Sequence, residues 1–403
     1  MKPVGLYPTH GPARDIPGIP ASCRDQAWER SRFEWRVGDP GDPAALVEAF
    51  LSRHNLIVND LSGRCSSEVP DPEHDICGAA LFVSAAGGAV LAGGALGAPS
   101  PVPAVPDVVA VVYEHSATVR PQSEPDAPSG QTDGDWRLGP WRPSWTPAAH
   151  AAAVEQVRAS IARGDVYQVN VVGHASAPYA GDPLPALRRL TRLAGARYAG
   201  ILRGDGWAIG CGSPETLLRV RDGEALTRPI KGTAPATEAG RAELLASPKE
   251  RAEHVMIVDL MRNDLSHVAV TGSVRVPRLF ALRPWCDLWQ AESDVTARIR
   301  PGTGLADLLR AVCPGGSVTG APKLAALAEI ARLEPVGRGV SMGALGWIGR
   351  DGIDLGLTIR TAAVDEGLVH VWAGGGITID SDPAAEVAEA AAKAAPVRAA
   401  LRG

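Results

Sequence analysis

Apolar and polar positions alternate in short runs over the first 110 or so residues and settle into longer periods only after Ala148. Residues 1–115 therefore read as a strand-rich part of the fold, with one helix near Pro43 to His54. Within this part, Ile76 to Pro106 carries no charge over 31 residues. Gly-Gly pairs cut that stretch into short apolar runs and prolines close it, which predicts a buried hairpin with glycine turns rather than a membrane span. Residues 116–147, "SATVRPQSEPDAPSGQTDGDWRLGPWRPSWTP", are rich in Pro, Ser, Gly and Asp without an apolar period and read as a loop or linker.

Residues 148–403 carry sharper signals. "AAHAAAVEQVRASIARG" predicts a helix that stops at Gly164, and "DVYQVNVVGHASA" a strand. Another helix begins at "SPKERAEHVMIVDLMRNDLSHV", where Ser247 is the cap, Pro248 the first helical residue and Glu250 a capping-box acid. Strands follow at "GSVRV", "ALGWIG", "LGLTIRTAAV" and "LVHVWAGGGITI", and a last helix starts near Asp382-Pro383. Neighbouring strands are mostly hairpin-linked, so the expected class is α+β, a single large domain of packed antiparallel sheets with outer helices. In "GEALTRPIKGTAPAT" the first six residues read as a turn and a strand, and "GTAPAT" as a loop. Lys231 thus stands where a strand meets a glycine turn.

Composition narrows the function. The formal charge is −5 with no basic block, which argues against a nucleic-acid partner. Six scattered cysteines without a CxxC pair suit a reducing cytosol. The start, "MKPVGLYPTHGP", lacks the apolar core of a signal peptide, so a cytoplasmic location and no membrane are expected. No Cys–His pair in the sequence suggests amidase chemistry.

Candidate chemistry concentrates in the second half. "PGGSVTGAPK" (314–323) is not a phosphate loop, since Ala321 follows Gly320, but it remains a glycine-rich turn leading into a helix. Glu253 lies in a mostly apolar helix. Glu386 and Glu389 share a face of the last helix, with Lys393 one turn on. These acids are either a solvated face with a Glu389–Lys393 pair or a clamp for one hard cation. Arg360 interrupts a strand otherwise fit for burial, and a buried guanidinium needs an anion. Gly374, Gly375 and Gly376 end the next strand, where bare backbone can approach a ligand.

In order, "CGSPETLL", "TRPIKGTAP", "ERAEHVMIVDLMRNDL", "PGGSVTGAPK", "LTIRTA" and "AGGGITIDSDPAAEVAEAAAK" resemble the chorismate-utilising enzymes. The resemblance implies Mg²⁺ held by Glu253 and Glu389, with Glu386 close by. It implies chorismate bound by Arg360, Gly374, Gly375, Gly376, Lys393, Thr233 and Gln168. It places the acid for the departing ring hydroxyl on Glu215, which requires a raised pKa. Branches that add water carry a base lysine where this chain has Gln168. Lysine at position 231 marks the aminodeoxychorismate synthase branch, which implies a neutral Lys231 as nucleophile. It also implies a glutamine amidotransferase subunit as the ammonia source. An anthranilate synthase with an atypical lysine and a catalytically silent chorismate-binding protein are the alternatives. The chain departs from the family at Ala234, Gln290 and Trp347; the last is expected to leave the ligand's side-chain carboxylate more dependent on Arg360.

Overall fold

The computed structural model describes residues 15–19, 27–63, 76–115 and 136–402; Cys23, Cys65 and positions 116–135 of the expected linker lie outside them. The chain runs through β1 (Ala27–Trp35), α1 (Pro43–Ser52), β2 (Ile76–Val83), α2 (Ala85–Ala92) and β3 (Val108–His115). Two short strands, β4 (Arg137–Leu138) and β5 (Arg142–Pro143), precede α3 (Pro147–Arg163), β6 (Gln168–Ala180) and α4 (Leu184–Thr191). Next come β7 (Tyr198–Gly204), β8 (Trp207–Ser213), β9 (Thr216–Arg221), β10 (Glu224–Arg228) and β11 (Ile230–Pro235). Helices α5 (Glu238–Ala246) and α6 (Pro248–Ser266) lead to β12 (Arg275–Trp285) and β13 (Leu288–Arg298). Then follow α7 (Leu305–Val312), a 3-10 turn at Gly316–Val318, β14 (Gly320–Ala321) and α8 (Lys323–Leu333). The last elements are β15 (Ala344–Gly349), β16 (Gly352–Leu357), β17 (Thr361–Asp365), β18 (Leu368–Ile377) and α9 (Pro383–Arg402).

Two antiparallel sheets result. One runs β1-β3-β2-β15-β16-β9-β10-β13-β11 with β12 on β13; the other runs β14-β6-β18-β17-β8-β7 with β4 and β5 on β6. Residues of both sheets share one core, in which Phe82, Val111, Leu218 and Leu345 meet Ile209, Trp207 and Trp372. Helices α4 and α9 cover the outer face of the second sheet through Leu187, Leu190, Val397 and Leu401. Helices α3 and α8 cover it through Val154, Val157, Leu327 and Ile330. The class is therefore α+β, packed antiparallel sheets with outer helices, as the hairpin pattern predicts. Among the described residues no helix is long and apolar enough to cross a membrane.

Local signals explain the helix ends. Thr146 accepts from the Ala149 N–H and Pro147 opens α3, which stops at Gly164 in the left-handed region. Ser247 accepts from the Glu250 N–H at 3.2 Å to start α6. The Glu250 carboxylate does not close a capping box; it lines a cleft described below.

Two expectations fail. The uncharged stretch after Ile76 is not a hairpin with glycine turns: β2 is followed by α2, and only then by β3, its antiparallel partner. Ser84 explains the helix, because its hydroxyl accepts from the Gly87 N–H at 2.9 Å and donates to Asp107 at 2.6 Å. "GTAPAT" is not a loop either, since β11 pairs Thr233 with Gln290 and Pro235 with Leu288 of β13. Lys231 sits inside this sheet-edge strand, not at a strand end. Finally, Cys77 Sγ and His115 Nδ1 approach to 3.0 Å across β2 and β3. The thiol is buried and neither residue lines a described cleft, so the pair offers no amidase site.

Removing the cap tests the reassigned helix. Ser84→Ala should lower unfolding free energy by about 1–2 kcal/mol, read as a lower urea midpoint at unchanged slope. An unchanged midpoint would show that α2 does not depend on Ser84.

Candidate active site

A cleft of about 260 Å³ opens where β11, α6, β18 and α9 meet. Lys231 enters it from β11. Its Nζ forms an ion pair with Glu253 Oε2 at 2.8 Å and donates to the Gly376 carbonyl at 3.3 Å. The backbone of Lys231 is held separately: His254 Nδ1 donates to its carbonyl at 2.8 Å, and His254 Nε2 meets the Ser293 hydroxyl at 2.6 Å. Burial lowers the pKa of His254, so the neutral ring suits this pair of bonds.

Two helices supply the acids. Glu250 and Glu253 are one turn apart on α6, and Glu253 also accepts from the Thr378 hydroxyl at 3.2 Å. Glu386 and Glu389 are one turn apart on α9. Glu386 accepts from the Ser381 hydroxyl at 2.7 Å, and Glu389 is ion-paired with Lys393, whose Nζ donates to the Gly374 carbonyl at 3.1 Å. The α9 acids can come this close to the sheet because β18 ends in glycine. A Cβ on Gly375 would stand 2.8 Å from Glu386 Oε2, and one on Gly376 would stand 2.5 Å from Gln168 Nε2.

Crowding sets the charges. Burial works against the Lys231 ammonium, yet Glu253, Glu389 and Glu386 outweigh it and hold its pKa above the ordinary lysine value. These carboxylates favour the ammonium form, so the neutral amine that the resemblance implies would require a cation beside Lys231 that neutralises them. Lys393 shifts the other way: burial, with Arg360 and Lys231 nearby, lowers its pKa despite Glu389. Burial raises Glu250 and Glu386, whereas Lys393 and Lys231 hold Glu389 low against its burial.

Glu215 lies at the opposite wall, between β8 and β9. It is buried and accepts from the Ser317 hydroxyl at 2.6 Å and the Ile230 N–H at 3.4 Å. Burial pushes its carboxyl up to about 7, only partly opposed by those two bonds. Arg360 adopts φ +52°, which breaks "LGLTIRTAAV" into β16 and β17 and turns the side chain inward. Its guanidinium stacks over the Trp285 ring at 4.7 Å, and burial lowers its pKa to about 10. Among the described residues it makes no ion pair; Glu215 and Glu389 act on it only from farther away.

The cleft brings together Lys231, Glu215, Glu253, Glu386, Glu389, Arg360, Thr233, Gly374, Gly376 and Lys393. Gly375 and Gln168 lie just behind this lining; Gln168 is fully buried, and neither end of its amide has a hydrogen-bond partner among the described residues. Ala234 and Gln290 line the cleft, whereas Trp347 packs on Tyr113 in the inter-sheet core and cannot govern contacts to a ligand carboxylate there. Sequence reasoning missed Glu250, Asn170, Ser317 and His254. The repeated spacing Glu250–Glu253 and Glu386–Glu389 was a usable signal for the first. Four carboxylates form an all-oxygen donor set suited to a hard cation. As arranged, no three acidic, histidine or cysteine groups among the described residues enclose an ion, because Glu253 and Glu389 hold lysines.

An enzyme site built for a small polyanionic ligand is the class that this geometry defines. The chain belongs to the chorismate binding enzyme family, whose profile matches residues 107–399. It is 43% identical over 256 residues to aminodeoxychorismate synthase component 1 of Klebsiella aerogenes, covering 62% of this chain and 57% of that protein. It is 39% identical over 310 residues to anthranilate synthase component 1 of Streptomyces coelicolor, covering 73% of this chain and 60% of that protein. The chain thus spans little more than half the length of these relatives. The crystal structure of anthranilate synthase component I from Streptococcus pneumoniae TIGR4 superposes with a TM-score of 0.77 at 25% identity, covering 98% of this chain and 93% of that one.

The glycine approach can be tested directly. Gly375→Ala should displace the Glu386 carboxylate, seen in a structure of the variant, and leave the thermal midpoint nearly unchanged. An unmoved Glu386 would show that the bare backbone is not needed.

Proposed function

We propose that this chain is the chorismate-aminating component of an aminodeoxychorismate synthase, forming 4-amino-4-deoxychorismate with ammonia from a glutamine amidotransferase partner. The observation that carries this reading is Lys231, a half-buried amine that lines the same cleft as a protonatable Glu215. Displacing the C4 hydroxyl by direct attack of ammonia at C2 gives the ortho isomer. Placing nitrogen at C4 takes two displacements. Lys231 Nζ, once its ammonium proton has passed to solvent, bonds to C2, the ring double bond shifts, and the C4 hydroxyl leaves as water with the proton of Glu215. Ammonia then bonds to C4, the double bond shifts back, and the Lys231 amine leaves C2. Arg360, which makes no ion pair among the described residues, holds a substrate carboxylate, and Lys393 and Thr233 orient the ligand.

Glu253 and Glu389 would hold Mg²⁺, with Glu250 and Glu386 beside them. The oxygen donor set and the glycine cradle that leaves room at Glu386 support this. When bound, Mg²⁺ supplies positive charge for the ring carboxylate and disfavours the ammonium form of Lys231. The partner follows from the same reading. Component 1 in the Klebsiella aerogenes protein's name supports a second subunit, and the buried Cys77–His115 pair adjoins no cleft. Anthranilate synthesis is the second reading, supported by the longer match to the Streptomyces coelicolor protein.

Incubation with chorismate, Mg²⁺ and ammonium should yield a para-aminated, non-aromatic product; an ortho-aminated aromatic product would establish the second reading. Without ammonia, an adduct of chorismate minus water should form on the peptide containing Lys231 and vanish in Lys231→Ala, with the loss in kcat rather than KM. An active Lys231→Arg together with no adduct on the parent would rule out the covalent route.

Metal binding has its own check. Glu389→Gln keeps the shape of the side chain but removes its charge, so turnover at limiting Mg²⁺ should drop by at least about tenfold. Near-normal turnover would return Glu389 to a simple ion pair with Lys393.

A further inference from the structure

Behind the cleft lies a buried ion pair to which the reaction above assigns no part. Arg338 and Glu334 follow the end of α8, and both are nearly inaccessible to solvent. Arg338 Nε and Nη2 grip the two Glu334 oxygens at 2.8 Å and 2.6 Å, a two-pronged pair. The remaining bonds of the guanidinium leave this pair. Nη1 donates to the Val318 carbonyl at 2.5 Å, and Nη2 donates to the Asn170 carbonyl at 2.7 Å. Glu334 Oε1 in turn accepts from the Val172 N–H at 2.9 Å. One ion pair thus ties β6 to the 3-10 turn at Gly316–Val318. Asn170, Ser317 and Val318, at the tied ends, all line the cleft.

A buried ion pair gives little net stability over apolar packing, because desolvation offsets its attraction. What this pair does give is position. Val318 directly follows Ser317, whose hydroxyl donates to Glu215 at 2.6 Å. Only an arginine has the fork to reach two main-chain carbonyls and a carboxylate at once; lysine can keep the charge but not the geometry.

We propose that Arg338, locked to Glu334, is a positioning residue that holds the Ser317 hydroxyl on Glu215 and thereby sets the pH at which Glu215 gives up its proton. The proposal rests on Glu215 being the acid of the reaction proposed above. Glu215 faces the Ser317 hydroxyl from the 3-10 turn and the Ile230 N–H from β11, with Arg360 and Lys393 acting from farther away. The bonds of Arg338 go to Val318, Asn170 and Glu334, so its effect on Glu215 is transmitted through the turn. The sign follows from the donor. A hydroxyl that donates to the carboxylate favours the charged form, so losing it raises the pKa of Glu215. For a general acid the rate falls as pH rises through that pKa, and the falling limb should move to higher pH.

The test uses Ser317→Ala, Arg338→Lys and the double variant in the full chain with chorismate, Mg²⁺ and ammonium. Titration is read twice: as the alkaline limb of kcat, and as the ¹³C shift of the labelled Glu215 carboxyl, identified by its loss in Glu215→Gln. Both single variants should move the carboxyl titration upward by about one pH unit, the scale of a lost charge-assisted hydrogen bond. The double variant should add nothing further. Arg338→Lys with lowered activity but an unmoved carboxyl titration would overturn the proposal and leave Arg338 a purely structural residue. A carboxyl titration that moves while the kcat limb stays fixed would uphold the positioning role and instead remove Glu215 as the acid. An unfolded Arg338→Lys protein, identified by its melting curve, passes the test to Glu334→Gln, for which the same two outcomes decide.

Discussion

Too many like charges in too little water is the constraint on which this site depends. Glu250, Glu253, Glu386 and Glu389 converge on one cleft, and isolated carboxylates that are partly desolvated repel one another and shed their charge. Three lysines answer them: Lys231 and, at longer range, Lys249 against Glu253, and Lys393 against Glu389. The main chain adds to the negative side, since the Gly374 and Gly376 carbonyls accept from Lys393 and Lys231. The outcome is a pocket rich in acceptor oxygens, balanced only by movable ammonium groups. Such a pocket suits an incoming hard cation, and a ligand carboxylate can follow it.

The opposite wall obeys the reverse logic. Arg360 is a buried cation that makes no ion pair among the described residues, held by ring stacking and by a left-handed backbone that no strand geometry would choose. Glu215, pushed up by burial, is a carboxyl poised to keep its proton near neutrality. One cleft thus holds a cluster of carboxylates with their lysines, and also a buried arginine beside a carboxyl that burial keeps protonatable. The cleft forms where the two sheets meet: β11 belongs to one and β18 to the other, and the shared apolar core holds them together.

Much of this was legible in the chain. The i, i+3 spacing of Glu386 and Glu389, the Ser247-Pro248 start of α6 and the Gly164 stop of α3 are local features, and helices form from local bonds. Arg360 stood out because a charge in an apolar run needs an explanation. The misses share one cause. β11 looked like a loop because Gly232 and Pro235 are poor strand formers, and its ladder partner is β13, more than fifty residues onward. α2 looked like a turn because its Gly-Gly pair weakens it, while the bond that anchors its cap comes from Asp107 beyond the next loop. Trp347 seemed to belong to the ligand and lies instead between the sheets.

The sequence by itself determined the chemical inventory: which acids share a helix face, which lysine sits beside glycine, and where backbone lacks side chains. Those follow from spacing along one element. Tertiary structure alone decided the pairings, that Lys231 meets Glu253, that Ser317 meets Glu215, and that Arg338 reaches Val318 and Asn170 at once. Each of those contacts joins segments far apart in the chain, and only the register of two packed sheets brings them within hydrogen-bond reach.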